Sequence, residues 1–448
     1  MRSKYPLEQS LGMEFYSTEV PGVGGRLKAR FEDFQVEEIT PTGDILQIQD
    51  LSDAESLTEA ATSISGAPKK YAQFTVQKMG LTTLDVVNIL AAELGISRHL
   101  VSYAGLKDKR AITTQAMSVP AKSATAFSEL QLFQIALRDP HYVSAPVRVG
   151  DLWGNRFSIL LRDIESEETS LKAAEAVRTT PLLNYFGEQR FGVVRPYTHL
   201  VGKAAVKRDF RGAIRTMLTT TSQYEDEQIT SLRKELAEEL VFDESVLQML
   251  PDGLRYEKNV AEFLTKNPGE YARAFRQIPP RIRTLFVHAY QSYLFNRLIS
   301  KRHEAGLPLD RPIPGDFLIQ LDRPHSGRDS WLYVTEKNLD ERTTLVEAGQ
   351  FGIAAPVPGY ATKMPPSPQT DTLRAILDNE GITLLDFRNE DSRAIDSAGG
   401  LHLLSISVPG LEDEFVDRGL HLRFRLRKGS YATVVLREIM KNHPIERV

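Results

Sequence analysis

The chain has no cysteine among its 448 residues, which excludes disulfides, thiolate zinc sites and cysteine nucleophiles together. That absence fits a reducing compartment, and a cytoplasmic protein is expected. Long apolar runs are also missing. No stretch approaches the roughly 18 apolar residues of a membrane span, and Met1-Arg-Ser-Lys-Tyr-Pro6 is not followed by an apolar core of signal-peptide length. The nine histidines show no His-Glu-x-x-His or other ligand spacing, so no metal is expected. The glycine cluster Pro21-Gly-Val-Gly-Gly25 is neither a Walker A loop nor a G-x-G-x-x-G turn, which leaves no nucleotide cofactor site. A G-x-S-x-G nucleophile elbow is absent too. With 41% hydrophobic and 25% charged residues, the chain has the composition and length of two or three ordinary globular domains.

A strong net charge is lacking as well, the formal value being −4, but the charge is unevenly spread. Residues 188–215 carry Arg190, Arg195, Lys203, Lys207, Arg208, Arg211 and Arg215 against only Glu188 and Asp209. Residues 225–244 carry eight acids against Arg233 and Lys234. Near the end, His421-Leu-Arg-Phe-Arg-Leu-Arg-Lys428 alternates with the period of a strand, which predicts Leu422, Phe424 and Leu426 on one face and Arg423, Arg425 and Arg427 on the other. Basic faces with an acidic counterweight elsewhere suit oriented RNA binding, and equally suit solvated amphipathic surfaces.

The pattern along the chain is α+β. Tyr71–Gln77, Gln115–Val119 and Arg156–Leu161 alternate as strands. Thr83 to Leu94 has helical spacing, with Thr83 as the expected N-cap and Gly95 as the stop. Leu171–Val177 and Leu285–Ala305 are further helices. From about Lys207 the sequence turns to polar helices and then to Pro-rich joints at 311–315, 355–359 and 365–368, before strand-like sequence returns near Leu401. That change of character predicts one domain inserted into another.

Chemistry concentrates in Tyr103-Ala-Gly-Leu-Lys-Asp-Lys-Arg-Ala-Ile-Thr-Thr-Gln115, where Asp108 stands among Lys107, Lys109 and Arg110. Neighbouring cations favour an ionised carboxylate, which can act as nucleophile or base, and they suit a phosphate-bearing substrate. A charged loop with a surface ion pair would look the same from charge alone. A second segment, Asn184-Tyr-Phe-Gly-Glu-Gln-Arg-Phe-Gly192, joins aromatics, amides and two glycines. Leu27-Lys-Ala-Arg-Phe-Glu-Asp-Phe-Gln-Val-Glu-Glu38 lies upstream, and Gly429-Ser-Tyr-Ala-Thr-Val-Val-Leu-Arg-Glu438 near the end.

These four ordered motifs resemble those of the TruD family of pseudouridine synthases, over about Gly24 to Glu438. The resemblance implies a pseudouridine synthase catalytic domain with a mixed or antiparallel sheet, 1–206 and 401–448, interrupted by a TruD-specific α+β domain at 207–400. It implies isomerisation of a tRNA uridine, usually at position 13, without cofactor, and matches Asp108 to the catalytic aspartate. By motif, Lys28 is a candidate partner of Asp108, and Lys107 would hold substrate phosphate or tune Asp108. Phe34 and Phe186 would line the uracil pocket, and Asn184 would meet the uracil edge or the Asp108 loop. Where most other pseudouridine synthases have a tyrosine, Phe186 cannot relay a proton. An arginine expected soon after Gly399-Gly400 is replaced by Leu401 and His402. A single-nucleotide cleft cannot select one uridine in a whole tRNA, so Lys203, Lys207, Arg208 and Arg211 are expected near RNA phosphates. A monomer is expected. The rival functions are a non-catalytic RNA-binding or chaperone protein on the same fold, and a carboxylate-dependent glycosidase of small nucleosides, which would need a second acid at the site.

Overall fold

A computed structural model describes residues 1–49, 63–130, 132–321, 331–390 and 392–447. The chain forms two compact units. One, built from Thr18–Thr180 and Ser407–Asn442 with the chain end from Glu446, carries an eight-stranded sheet. Its strands are β1 (Phe34–Ile39), β2 (Tyr71–Met79), β3 (Ser102–Tyr103), β4 (Ile112–Pro120), β5 (Ile135–Val143), β6 (Gly154–Leu161), β13 (Glu412–Val416) and β14 (Gly419–Arg427). They run in the order β13-β14-β6-β1-β4-β2-β5, with β3 pairing off β4. The architecture is α+β and the sheet mixed.

One pairing decides where the chemistry can sit. β1 and β4 are parallel, Gln35 opposite Ile112 and Glu37 opposite Thr114, whereas the other strand pairs of this sheet are antiparallel. Parallel neighbours share their starting ends. The segment entering β1, which holds Lys28, and the segment entering β4, which holds Asp108, are therefore delivered to the same end of the sheet. The crossover between them includes β2 and the helix Thr83–Glu93, whose Val86, Val87 and Leu90 bury against Phe74, Val76, Met117 and Val119. β14 has the expected two faces: Leu422, Phe424 and Leu426 are buried, Arg423 and Arg425 exposed.

That helix begins one residue earlier than its sequence suggests. Thr82, not Thr83, is the N-cap: its hydroxyl accepts from Asp85 N–H and the Asp85 carboxylate accepts from Thr82 N–H. Thr83 is thereby free for another task, described below.

The second unit comprises Met1–Ser17, Pro181–Ile406 and His443–Ile445. Its spine is the helix Pro280–Glu304, buried from Phe286 to Arg302 on most sides, with Gln291, Asn296, Ser300 and Arg302 buried among its apolar side chains. Strands β8 (Phe317–Gln320), β9 (Trp331–Tyr333), β10 (Phe351–Val357) and β11 (Gly400–Leu403) form an antiparallel sheet in the order β11-β10-β8-β9, and β7 (Leu182–Leu183) pairs with β12 (Ser405–Ile406). The expected insert, 207–400, lies wholly inside this unit, which extends past it at both ends. Three contacts explain the extension. The helix Thr198–Val206 packs on the spine at Gly202, where any Cβ would stand 2.0 Å from the Phe286 carbonyl oxygen. β12 is held by β7. The first residues are bound to the spine by hydrogen bonds from Asn296 Nδ2 to Leu11 O (3.1 Å) and from Ser300 Oγ to Gly12 O (2.6 Å). No helix among the described residues is long and apolar enough to cross a membrane.

Candidate active site

Asp108 sits on the loop before β4 with its side chain 46% exposed, and Lys28 Nζ donates to its Oδ2 at 3.0 Å. Lys28 itself is only 10% exposed, and its ammonium also stands 4.3 Å from the centre of the Phe34 ring. The expected Lys28–Asp108 partnership is therefore present, with Phe34 as the third member. A cation over a ring and beside a carboxylate is fixed from two sides. Lys28 has φ of 55°, a left-handed conformation that costs a non-glycine residue free energy and persists where surrounding structure enforces it. Phe34 is buried, edge-on to Phe157, so the surface it offers a base is small. Asp33 explains the acid of the Glu-Asp-Phe motif. It is buried, accepts the Arg30 N–H at 2.8 Å and pairs two-pronged with Arg162. Burial works against its charge, but the bonds from Arg162 and Arg30 hold its carboxyl below the ordinary range.

Beneath the exposed carboxylate lies a buried polar scaffold. Lys78, fully buried on β2, donates to the Asp108 backbone carbonyl at 2.8 Å and to Leu81 O at 2.7 Å. Burial pushes its ammonium down to about 8, against the pull of Asp108 and with the repulsion of Lys107. Lys107 was expected to meet phosphate or tune Asp108. Instead its ammonium is buried against Glu38 at 2.6 Å, where no phosphate can reach it. The other Glu38 oxygen accepts from Ala116 N–H on β4 at 2.9 Å. Thr83 Oγ accepts from the Lys107 N–H (2.8 Å) and donates to Gln115 Oε1 (2.9 Å), and Gln115 Nε2 donates to Gly105 O (3.1 Å). The bonds from Lys78, Thr83, Glu38 and Gln115 tie the loop to β2, the helix, β1 and β4, which pins Asp108 while leaving its carboxylate open. Glu38, Lys78 and Gln115 were not singled out from sequence, and Thr83 was read there only as a helix cap. Glu38 and Gln115 lay within the motifs, and Lys78 had its own signal. It continues the inward phase Phe74, Val76, Lys78 of β2, so a charge falls where an apolar residue belongs.

The other motif residues belong to the second unit. Asn184 is fully buried, and its Nδ2 lies 3.1 Å from both Leu403 O and His402 Nε2. Its Oδ1 is buried with no hydrogen-bond partner among the described residues. Phe186 is largely buried, stacked on His402 at 4.4 Å between ring centres and edge-on to Phe295. Its backbone is clamped by Asn296, which accepts from the Phe186 N–H and donates to its carbonyl, both at 2.9 Å. His402 thus stands with Asn184 and Phe186 in the position where an arginine was expected. Burial pushes its imidazole down to about 4, and the Arg190 charge acts in the same direction.

Of the four expected phosphate contacts, three are exposed: Lys207, Arg208 and Arg211. Arg208 donates to Arg388 O at 2.9 Å, and the Arg211 guanidinium lies 5.8 Å from the Tyr271 ring centre. Lys203 differs. Its ammonium is paired at 2.8 Å with the largely buried Glu380, which also binds Arg297 at 2.9 Å. Its charge is committed to holding an interior carboxylate.

Known proteins resemble this chain over nearly its whole length. The family model described as tRNA pseudouridine synthase D (TruD) matches residues 10–439. The "Probable tRNA pseudouridine synthase D" of Methanosarcina mazei is 33% identical over 98% of each chain. That of Thermococcus onnurineus is 35% identical over 96% of this chain and 97% of its own. The crystal structure of a Methanosarcina mazei protein designated tRNA pseudouridine synthase D (TruD) superposes with a TM-score of 0.80 at 32% identity, covering 99% of both chains. The chain belongs to the tRNA pseudouridine synthase D (TruD) family.

Proposed function

We propose that the protein isomerises a uridine of tRNA to pseudouridine, with uridine 13 as the target and Asp108 as the catalytic carboxylate. The observation that carries this reading is an exposed carboxylate held at one oxygen by Lys28, on a loop whose supporting groups are buried. Asp108 Oδ1 has no hydrogen-bond partner among the described residues and is free to act. The reaction breaks N1–C1′, turns the uracil over, joins C5 to C1′ and moves a proton from C5 to N1. No electron is gained or lost. Lys28 neutralises the resting carboxylate and fixes its direction, which leaves Asp108 three routes: attack on C1′, attack on uracil C6, or proton removal at C2′. The target base must leave its stack to be reached. Asn184 and Phe186 are assigned to the uracil, Lys28 and Phe34 to the surroundings of Asp108, and Lys207, Arg208 and Arg211 to RNA phosphates.

The test is incubation of the purified protein with total tRNA, followed by mapping of pseudouridine. Asp108→Asn keeps size and hydrogen bonding while removing the charge, and is expected to bind tRNA normally while losing on the order of 10³-fold or more in rate. An Asn variant turning over at the wild-type rate would refute the assignment. Pseudouridine at a site other than 13 would move the target without moving the catalyst.

A further inference from the structure

The alternating arginines of β14 have no task in the function proposed above, and strand register shows where they stand. Arg425 lies directly opposite Arg156 of β6, which lies opposite Glu37 of β1. Two residues along, Gln35, Ser158, Arg423 and Glu412 form a second row across β1, β6, β14 and β13. Residues opposite one another share a face of the sheet, so the two rows line one basin of about 270 Å³, wholly within the sheet-bearing unit. Phe34, Phe157 and Phe424 alternate with these residues along the strands and pack together on the other face. The basin is therefore on the reverse of the strand that brings Phe34 to Lys28.

Its charge is unbalanced. Like charges directly opposite on neighbouring strands repel, and Arg156 and Arg425 are such a pair. Glu37 answers only the first of them: one of its oxygens accepts from Arg156 Nε and the other from Ile48 N–H at 2.9 Å. Arg425 is exposed and forms neither ion pair nor hydrogen bond among the described residues. Arg423, also exposed, forms no ion pair among them, and its Nη2 donates to His421 Nδ1 at 3.3 Å. Nδ1 accepts there, so the imidazole hydrogen is on Nε2 and is given to Ser158 Oγ at 2.7 Å. The Ser158 hydroxyl hydrogen is left over as a donor. Three guanidiniums thus face two carboxylates, Glu37 and Glu412, and the forks of Arg423 and Arg425 stay open.

We propose that this face of the sheet binds a phosphoryl anion, clasped by Arg423 and Arg425 with Arg156 and the Ser158 hydroxyl beside them. Guanidinium forks match phosphate oxygens in pairs, and an anion placed between Arg156 and Arg425 turns their repulsion into a shared attraction. Two sources carry that chemistry. One is a phosphodiester of the RNA, in which case the inference rests on the function proposed above; the other is a free phosphate compound.

Inorganic pyrophosphate is the first probe, because it reads the site without RNA. Calorimetry at fixed ionic strength should show one site in wild type, weakened on the order of tenfold or more in Arg423→Gln/Arg425→Gln by the loss of charge-assisted hydrogen bonds. A control variant, Arg98→Gln/Lys122→Gln, removes two exposed cations of the same unit from outside the basin and should bind as wild type does. Taking away Arg425 also relieves a repulsion, so the basin variant should melt no lower than wild type; a lower melting temperature would show that the arginines support the fold instead. The second probe is tRNA in an Asp108→Asn background, where substrate is not consumed, across a salt series. A slope flattened by about 1.4, two contacts at roughly 0.7 each on single strands, assigns the phosphate to RNA. An unchanged slope together with lost pyrophosphate binding assigns it to a free phosphate compound. Equal loss in the basin and control variants, or no effect of the basin variant on either probe, overturns the proposal. Absence of pseudouridine from wild-type assays would refute the proposed function and leave the pyrophosphate result standing.

Discussion

A buried lysine beneath an exposed aspartate sets two demands against each other. Lys78 clamps the Asp108 carbonyl, and burial has pushed its ammonium from 10.5 to about 8. The unfolded chain would hold that proton up to about pH 10.5, the folded chain only to about 8. Between those values the unfolded state binds more protons, so this group makes stability rise with pH. Lys78→Met abolishes the effect. Wild type should therefore gain about 2 kcal/mol relative to the variant between pH 7.5 and 9.5, at 1.36 kcal/mol per pKa unit. Paired denaturant titrations at the two pH values measure it, and a constant difference would mean that burial does not lower the Lys78 ammonium below its ordinary range. The same variant should lower kcat on the order of tenfold, with tRNA affinity nearly unchanged. Affinity comes from phosphates, whereas the clamp governs only where Asp108 points.

At the scale of elements, the join between the helices Thr198–Val206 and Phe210–Thr219 concentrates cations that differ in availability. Lys203 is bound to Glu380, while Lys207, Arg208 and Arg211 face solvent. Replacing those three by Ala should weaken tRNA binding and flatten its salt dependence by up to about three charges, roughly 0.7 per contact on single strands. Lys203→Ala should instead lower the melting temperature, because it strips a partner from an interior carboxylate. Binding measured across a salt series separates the two, and an unchanged slope in the triple variant would place the RNA elsewhere. The same contrast marks what the sequence could reveal. Periodicity was enough for β14, whose Leu422, Phe424 and Leu426 are buried as their spacing requires, and for the spine helix. Motif resemblance pointed to Lys28 as a partner of Asp108, and the fold brings the two into contact. That resemblance could not supply Glu38 as the partner of Lys107, 69 residues away, because that pair forms only once β1 and β4 lie side by side in the sheet. Nor could it release Thr83 from capping, since Thr82 and Thr83 differ by one residue of register. Lys203 and Lys207 look alike in a list of charges, and only the fold of Glu380 beneath one of them tells them apart.

For the whole molecule, the two units should not respond alike to acid. The unit built around the spine holds His199 and His402, each pushed down to about 4 by burial. His199 packs edge-on to Phe191 and its Nδ1 is buried without a hydrogen-bond partner, so burial outweighs the pull of the Glu380 charge on an added proton. In the unfolded chain these imidazoles protonate near 6.5. Between 6.5 and 4 the unfolded state binds more protons, and stability falls as pH falls. Each should cost about 2 kcal/mol by pH 5. Glu380 adds to the loss lower down: its interior position raises the cost of charge, but Lys203, Tyr290 and Arg297 hold its carboxyl below the ordinary range, and that stabilisation disappears as pH falls below about 4.5. The sheet-bearing unit has His421, which is lowered by burial and by Arg423, but no histidine pushed down as far. The chain's two tryptophans divide between the units, Trp153 in the sheet-bearing one and Trp331 in the other. Denaturation followed by fluorescence in Trp153→Phe and Trp331→Phe variants therefore reads each unit separately. Lowering pH from 7 to 5 should shift the Trp331 transition to lower denaturant by more than the Trp153 transition, and His199→Gln should remove about half of that excess. Coincident shifts at every pH would mean that the two units unfold as one, and an excess shift in the Trp153 transition would contradict the neutral state of the buried histidines.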